Sequence, residues 1–185
     1  MSATLAPQGL VPSHHPSGVI RVTNQGDGIA SAYGTSIYTG TPIMRGTDGT
    51  IIVVPTGAST PIGVFQGCEF SSASKRFVLP YWPAAQTYDA GSMIAKYTDD
   101  PEIIYEGQAN GAVAMTAVGE GIDLGDASQG SVYTGFSTQS LAATTTGATA
   151  ASFILQGLAP YPGNAWGDAY TRVYVKISTR QGQVA

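Results

Sequence analysis

The apolar positions of this chain fall into short bursts separated by Gly, Pro, Asn, Asp and Ser, and no apolar stripe recurs at helical spacing. Turn residues return about every eight to twelve positions, which is typical of all-β sandwiches and barrels. The pattern predicts short strands over residues 18–23, 41–45, 50–54, 62–70, 76–82, 92–97, 102–106, 112–117, 131–134, 153–159 and 170–178.

Two regions carry the clearest strand patterns. Residues 170–178 alternate strictly, with Val175 and Ile177 on one face, as in a half-buried strand. The runs 41–45 and 50–54 flank the sequence Gly-Thr-Asp-Gly, which predicts a β-hairpin.

Helical signals are weak by comparison. Residues 138–143 are the best helix candidate, a turn is expected near 123–129, and residues 141–152 suggest a loop or a strand of small residues. We therefore predict an all-β fold, a compact β-barrel or sandwich of short antiparallel strands.

The N-terminal segment differs from the rest of the chain. Residues 1–17 contain three prolines and no hydrophobic period, so we expect them to stay out of a central sheet. They are predicted to form an extended arm on a domain of residues 18–185. The arm is either a disordered terminus or a segment that orders on a neighbouring subunit, where Leu5, Leu10 and Val11 would be buried.

The composition adds an expectation about assembly. Only 11% of the 185 residues are charged while 43% are hydrophobic, and an ordinary domain carries about 25% charged residues. Such a surface offers few strongly solvated groups. It suits a homo-oligomer or a protein covered by other neighbours.

Charge and hydropathy also bear on partners. The net charge is −4, and among the eight basic residues only Lys75 and Arg76 are adjacent, so no nucleic-acid footprint is expected. The longest strictly apolar run, residues 51–54, predicts no membrane span, and residues 1–20 hold no secretory signal pattern. These features predict a protein made in a cytoplasm.

The residues that carry chemistry do not form a recognisable constellation. Cys68 is the only cysteine and lies in a strand pattern, which predicts a buried structural thiol. His14 and His15 are adjacent, a spacing unsuited to shared metal ligation. Glu102 and Glu106 would stand roughly 13 Å apart on one strand, too far for a glycosidase pair.

One further segment, residues 120–126, is rich in Gly and acidic residues but lacks the order of a calcium-binding loop. We therefore predict no enzyme activity, no metal and no cofactor.

Two stretches combine proline with aromatic residues. Residues 79–83 contain Tyr81 and Trp82, and residues 160–170 contain Trp166. They either pack internally and close the ends of the fold, or form an exposed recognition surface. Tyr81, Trp82 and Trp166 are therefore candidate interface residues together with those of the arm.

Several motifs carry a resemblance to a known group. The sequences GVFQGCEF (63–70), LPYWP (79–83), DDPEIIYEGQA (99–109) and PGNAWGDAYTRVYVKI (162–177) resemble small head decoration, or cement, proteins of tailed bacteriophages. The resemblance spans about residues 34–177. It implies a non-enzymatic virion protein on the capsid exterior that binds the major capsid protein, and it assigns no active-site residue.

Two other functions remain open at this point. One is another phage structural component, such as a tail or neck protein with a β-barrel. The other is a carbohydrate-binding module in which Tyr81, Trp82 and Trp166 would form a stacking platform.

Overall fold

The computed structural model describes residues 4–57, 60–127, 129–147, 151–178 and 181, and within them the chain is built from antiparallel strands. The strands are Val11–His14 (β1), Thr23–Gly26 (β2), Ile37–Tyr38 (β3), Pro42–Arg45 (β4), Ile51–Val53 (β5), Gly63–Ser72 (β6), Lys75–Leu79 (β7), Tyr81–Trp82 (β8), Ile94–Thr98 (β9), Ile104–Gln108 (β10), Gly121–Leu124 (β11), Leu141–Thr146 (β12), Phe153–Leu158 (β13) and Arg172–Ile177 (β14). A 3-10 turn lies at Met115–Ala117. The all-β prediction is confirmed.

The strands form two large sheets and one small one. The first large sheet has the order β1-β10-β14-β13-β11-β12, and the second has the order β2-β9-β6-β4-β5, with β7 also paired to β6. Strands β3 and β8 form the small sheet. The arrangement is a compact antiparallel sandwich.

Two apolar cores lie on opposite sides of β6. Val64 belongs to the first core, which lies against the first large sheet and also contains Tyr105 and Val175. The next residue, Phe65, belongs to a second core with Trp82. Successive side chains of a strand face opposite ways, so β6 is buried on both faces and separates the two cores.

A β-bulge keeps the second core in register along β6. Phe65 pairs with Tyr97 and Cys68 pairs with Ala95, with a register shift between them. The extra residue, Gln66, lets Phe65 and Cys68 face the same core although they are three positions apart.

The two clearest sequence patterns are confirmed. Strands β4 and β5 form the predicted hairpin, with Ile43 opposite Val53. In β14 the residues Val173, Val175 and Ile177 are buried and their neighbours are partly exposed.

Three predicted strands are wrong. Residues 18–23 connect β1 in one sheet to β2 in the other, and only Ile20 packs on a core, so the strand begins at Thr23. Residues 112–117 bury Val113 and Ala117, four positions apart, which fits a helical turn. Residues 131–134 form a tight turn instead of a ladder.

The helix predicted at residues 138–143 is also wrong. Leu141–Thr146 is the edge strand β12, and its partner β11 occupies the segment with the calcium-loop composition. Of the two alternatives for residues 141–152, the strand of small residues is confirmed over Leu141–Thr146. Its Ala and Thr side chains show too little hydrophobic alternation for the sequence to choose between strand and loop.

The arm predicted for residues 1–17 is part of the domain over the residues described. Strand β1 pairs with β10, so the boundary at residue 18 divides a single sheet. Upstream, the Ala6 N–H donates to Gln108 Oε1 at 2.8 Å, and Gln108 Nε2 donates to Thr4 O at 3.0 Å. Pro12 is tolerated because β1 is an edge strand, and Pro7 and Pro16 lie outside it. Residues 1–3 lie outside the described residues.

The bulge yields a stability prediction at Gly67. Its φ of +136° disfavours any side chain, and a Cβ there would lie 2.9 Å from Leu79 O. We expect Gly67→Ala to lower the free energy of unfolding by about 1–3 kcal/mol, measured by denaturant titration.

Gly26→Ala is the matched control, because Gly26 is also in a strand, lacks a positive φ and has open space around its Cβ position. It should leave the free energy of unfolding nearly unchanged. Equal losses in the two variants would contradict the bulge explanation.

Candidate interaction surface

The predicted structural role of Cys68 fits its surroundings. The side chain is buried in the second core, and its Sγ lies 3.4 Å from the carbonyl oxygen of Tyr81. Burial raises the pKa of the thiol to about 12, and the positive charge of Lys96 offsets only part of this increase. The thiol is therefore protonated and unreactive at neutral pH.

Two carboxylates form ion pairs on the outer face of the first large sheet: Glu106 in β10, and Glu102 two residues before that strand. Glu102 accepts hydrogen bonds from Lys176 Nζ at 2.9 Å. Glu106 lies 3.4 Å from Arg172 Nη1 and accepts a hydrogen bond from the Tyr161 hydroxyl at 2.8 Å. That hydrogen bond raises the pKa of Tyr161. These contacts join neighbouring strands and loops, which is a structural use of the charges.

The acidic residues of the segment 120–126 point to separate partners. Asp123 accepts a hydrogen bond from the Ser152 N–H at 2.7 Å. Glu120 accepts one from the Thr145 hydroxyl, and Asp126 accepts one from the Ser140 hydroxyl. Among the described residues, no group of three or more His, Cys, Asp or Glu side chains is arranged to hold a metal ion.

No helix in the described part of the chain is long and apolar enough to cross a membrane.

An exposed aromatic surface is the strongest functional feature of the fold. It comprises Pro80, Tyr81 and the side chains of a loop over residues 131–136, which we call the aromatic loop. The Tyr81 ring stacks on Tyr38, with centroids 5.6 Å apart and planes 17° apart. Tyr38 is buried beneath it, so Tyr81 is held in place from below.

The aromatic loop is tied to the domain through Thr39. The Thr39 N–H donates to Gly135 O at 2.9 Å, and its hydroxyl donates to Pro80 O at 2.5 Å. Ser137 N–H returns a bond to Thr39 O at 2.9 Å. Gly135 has a φ of +74°, and a Cβ there would lie 2.4 Å from Pro80 Cγ. Only glycine permits this close approach.

The tip of the aromatic loop presents apolar side chains to solvent. Tyr133 is 97% exposed, and Val132 and Phe136 are also exposed. The loop backbone is fixed by hydrogen bonds from Ser131 N–H to Phe136 O at 3.0 Å and from Gly135 N–H to Ser131 O at 2.7 Å. Exposed apolar side chains carried close together on such a hydrogen-bonded backbone are characteristic of interaction sites when they form a contiguous patch.

Two of the candidate interface residues lie in the cores and cannot contact a partner. Trp82 has no exposed surface; its ring packs edge-on to Phe70 and Tyr88. Leu10 is 2% exposed and packs in the core beside β10, with its backbone N–H donating to Gly40 O at 2.8 Å. The sequence interpretation of these two as interface residues is corrected.

The other four candidates have exposed or half-buried side chains at separate places. Leu5 and Val11 are exposed on the N-terminal segment, Tyr81 is half-buried in the aromatic surface, and Trp166 packs partly against the first core. The platform of Tyr81, Trp82 and Trp166 does not form, because Trp82 is internal. Sequence reasoning missed the aromatic loop, since the exposed side chains around Tyr133 were assigned to a strand.

In comparisons with known proteins, no family model, curated protein or solved structure matches this chain. The function is therefore argued from the surface itself.

Cys68 provides a direct test of the second core. Because its pKa is raised to about 12 by burial, we expect no reaction with a thiol reagent at pH 8 in the folded protein and rapid reaction in denaturant. Mass spectrometry of the labelled chain measures both. Rapid labelling of the folded protein would contradict the burial of this strand.

The N-terminal segment is tested by a pair of leucines. Leu10→Ala removes a side chain from the core and should lower the free energy of unfolding by about 2–5 kcal/mol. Leu5→Ala, at an exposed position, should change it by less than about 0.5 kcal/mol. Similar effects of the two substitutions in denaturant titration would show that the segment does not pack on the domain.

Proposed function

We propose that this protein is a non-enzymatic virion structural protein, a head decoration or cement protein that binds the outside of a major capsid protein shell. The observation that carries the proposal is the aromatic surface, a set of exposed apolar side chains on a hydrogen-bonded loop of a domain with few charges. The resemblance of residues 34–177 to bacteriophage decoration proteins gives the partner.

The aromatic loop suits attachment to a preformed surface. Its backbone is already hydrogen-bonded to Thr39 and to itself, so little backbone conformational entropy is lost when it is covered, and the cost of ordering is confined to the side chains. Full burial of a large apolar side chain contributes roughly 1.5–3 kcal/mol. Val132, Tyr133 and Phe136 together therefore supply a contact whose strength does not depend on charge.

Binding of this kind would stabilise the shell by mass action. A protein that binds only the assembled shell lowers the free energy of that state, by an amount that grows with the concentration of free protein relative to its Kd. No reaction is needed, and Cys68, Glu102 and Glu106 all have structural partners.

The test is co-sedimentation of the purified protein with shells assembled from the co-encoded major capsid protein. The double variant Tyr133→Ser/Phe136→Ser should lose at least about tenfold in affinity, since it removes two exposed rings. The matched control is Met115→Ser/Val118→Ser, which removes exposed apolar side chains at the 3-10 turn and should bind like the parent.

Failure of the parent protein to sediment with shells would overturn the proposal. Immunogold labelling of whole particles then distinguishes the remaining structural alternative, because gold at the tail or neck would place the protein there. Equal binding by the two double variants would move the contact away from the aromatic loop.

A further inference from the structure

Strand β7 leaves an open sheet edge. Among the strands of the described residues it pairs with β6 alone, and residues 75–78 are all exposed. Val78 is 61% exposed, and Phe77 is also exposed although its ring stacks on Phe70 at 5.3 Å. The edge carries charge at Lys75 and Arg76 and apolar side chains at Phe77 and Val78, and it has neither proline nor a bulge. Unpaired backbone groups on such an edge are a template for pairing with another strand.

The register identifies the backbone groups that face outward. Ser72 pairs with Lys75 across a two-residue turn in which Ala73 and Ser74 have φ of +50° and +63°, the signs of a type I′ turn. In such a hairpin, hydrogen-bonded pairs alternate with non-bonded pairs. Phe77 therefore bonds to β6, while the N–H and C=O groups of Arg76 and Val78 point away from it.

Both ends of this free edge are closed. The turn at Ala73 and Ser74 ends it on one side. On the other, Thr39 covers the chain directly after β7, since its N–H and hydroxyl both bond to Pro80 O. The free edge is therefore no longer than β7 itself.

We propose that β7 pairs antiparallel with β7 of a second copy of this chain, about a two-fold axis at Phe77. Arg76 of each copy then faces Val78 of the other, and each such pair closes two backbone hydrogen bonds. The two Phe77 side chains meet at the axis as a non-bonded pair, and the two β6–β7 hairpins join into one continuous sheet.

The charges favour this antiparallel pairing over a parallel one. Glu69 of β6 pairs with Val78 and forms ion pairs with both Arg76 and Lys96, the latter at 3.6 Å. In the antiparallel dimer, Arg76 of the second copy lies beside Val78 and thus on the side of Glu69. Lys75 lies opposite Leu79 of the other copy. A parallel pairing would place Lys75 against Lys75 and Arg76 against Arg76, which like charges disfavour.

This dimer is independent of the capsid proposal because it is measured on the isolated protein. Sedimentation equilibrium of the full chain should show a reversible dimer. Val78→Lys introduces a charge beside Arg76 of the second copy and should raise the dimer Kd by roughly tenfold or more. Val19→Lys is the matched control, since Val19 is also exposed and lies outside the strands.

Cross-linking tests the register. In a non-bonded pair, Cα atoms are about 4.5 Å apart, within the range of a disulfide. Phe77→Cys should therefore form a covalent dimer on mild oxidation. Val78→Cys, whose counterparts lie diagonally, should not. The native Cys68 is buried and does not compete.

Three results would overturn the dimer: a parent protein that is monomeric at all concentrations, a Kd unchanged by Val78→Lys, or equal cross-linking of the two cysteine variants. A monomeric parent protein would leave the edge open to an extended segment of a different protein. If Phe77→Cys fails to fold, the comparison of Val78→Lys with Val19→Lys decides alone.

Discussion

The whole structure depends on one strand, β6, that is buried on both faces. Val64 completes the core under the first sheet, and Phe65 begins the core on the other side. The extra residue at Gln66 keeps Cys68 on the same face as Phe65; without it, alternation would turn Cys68 toward the wrong core. The edge of β7 is paired directly to this strand, and β3 and β8, whose flanking residues Thr39 and Pro80 hold the aromatic loop, both contact it.

The fold class could be predicted from the sequence because alternation and turn chemistry are local. Val173 and Val175 show which face of β14 is buried, and a Gly-Asp loop indicates the β4–β5 hairpin. Other elements depend on distant partners. The Thr-rich strand β12 has little apolar contrast, and β1 contains a proline that only its edge position tolerates. The sequence therefore left β12 open between a loop and a strand and placed β1 outside the sheets, because pairing defines both strands.

The interaction surface was less predictable because neighbouring residues face opposite ways. Tyr81 lies at the surface while Trp82 has no exposure, and Leu10 is buried while Val11 is exposed. Composition singled out the aromatic stretch 79–83 and the proline-containing segment 1–17. Which of two adjacent residues faces solvent is decided by strand register, which composition does not give. Tyr133 was not predicted as a surface residue, because Val132 and Phe136 beside it gave the segment the pattern of a strand. In the structure the chain turns at Gly135 instead, and residues 131–134 form no strand.

The placement of the two tryptophans has an optical consequence. Trp82 is enclosed in one core, whereas Trp166 is partly buried against the other. Each core therefore carries its own fluorophore, in surroundings of different polarity. In a variant with one tryptophan replaced by phenylalanine, all tryptophan fluorescence comes from one side of β6. The shift of its emission wavelength during denaturation then reports the unfolding of that core alone, so the two cores can be followed separately within one small domain.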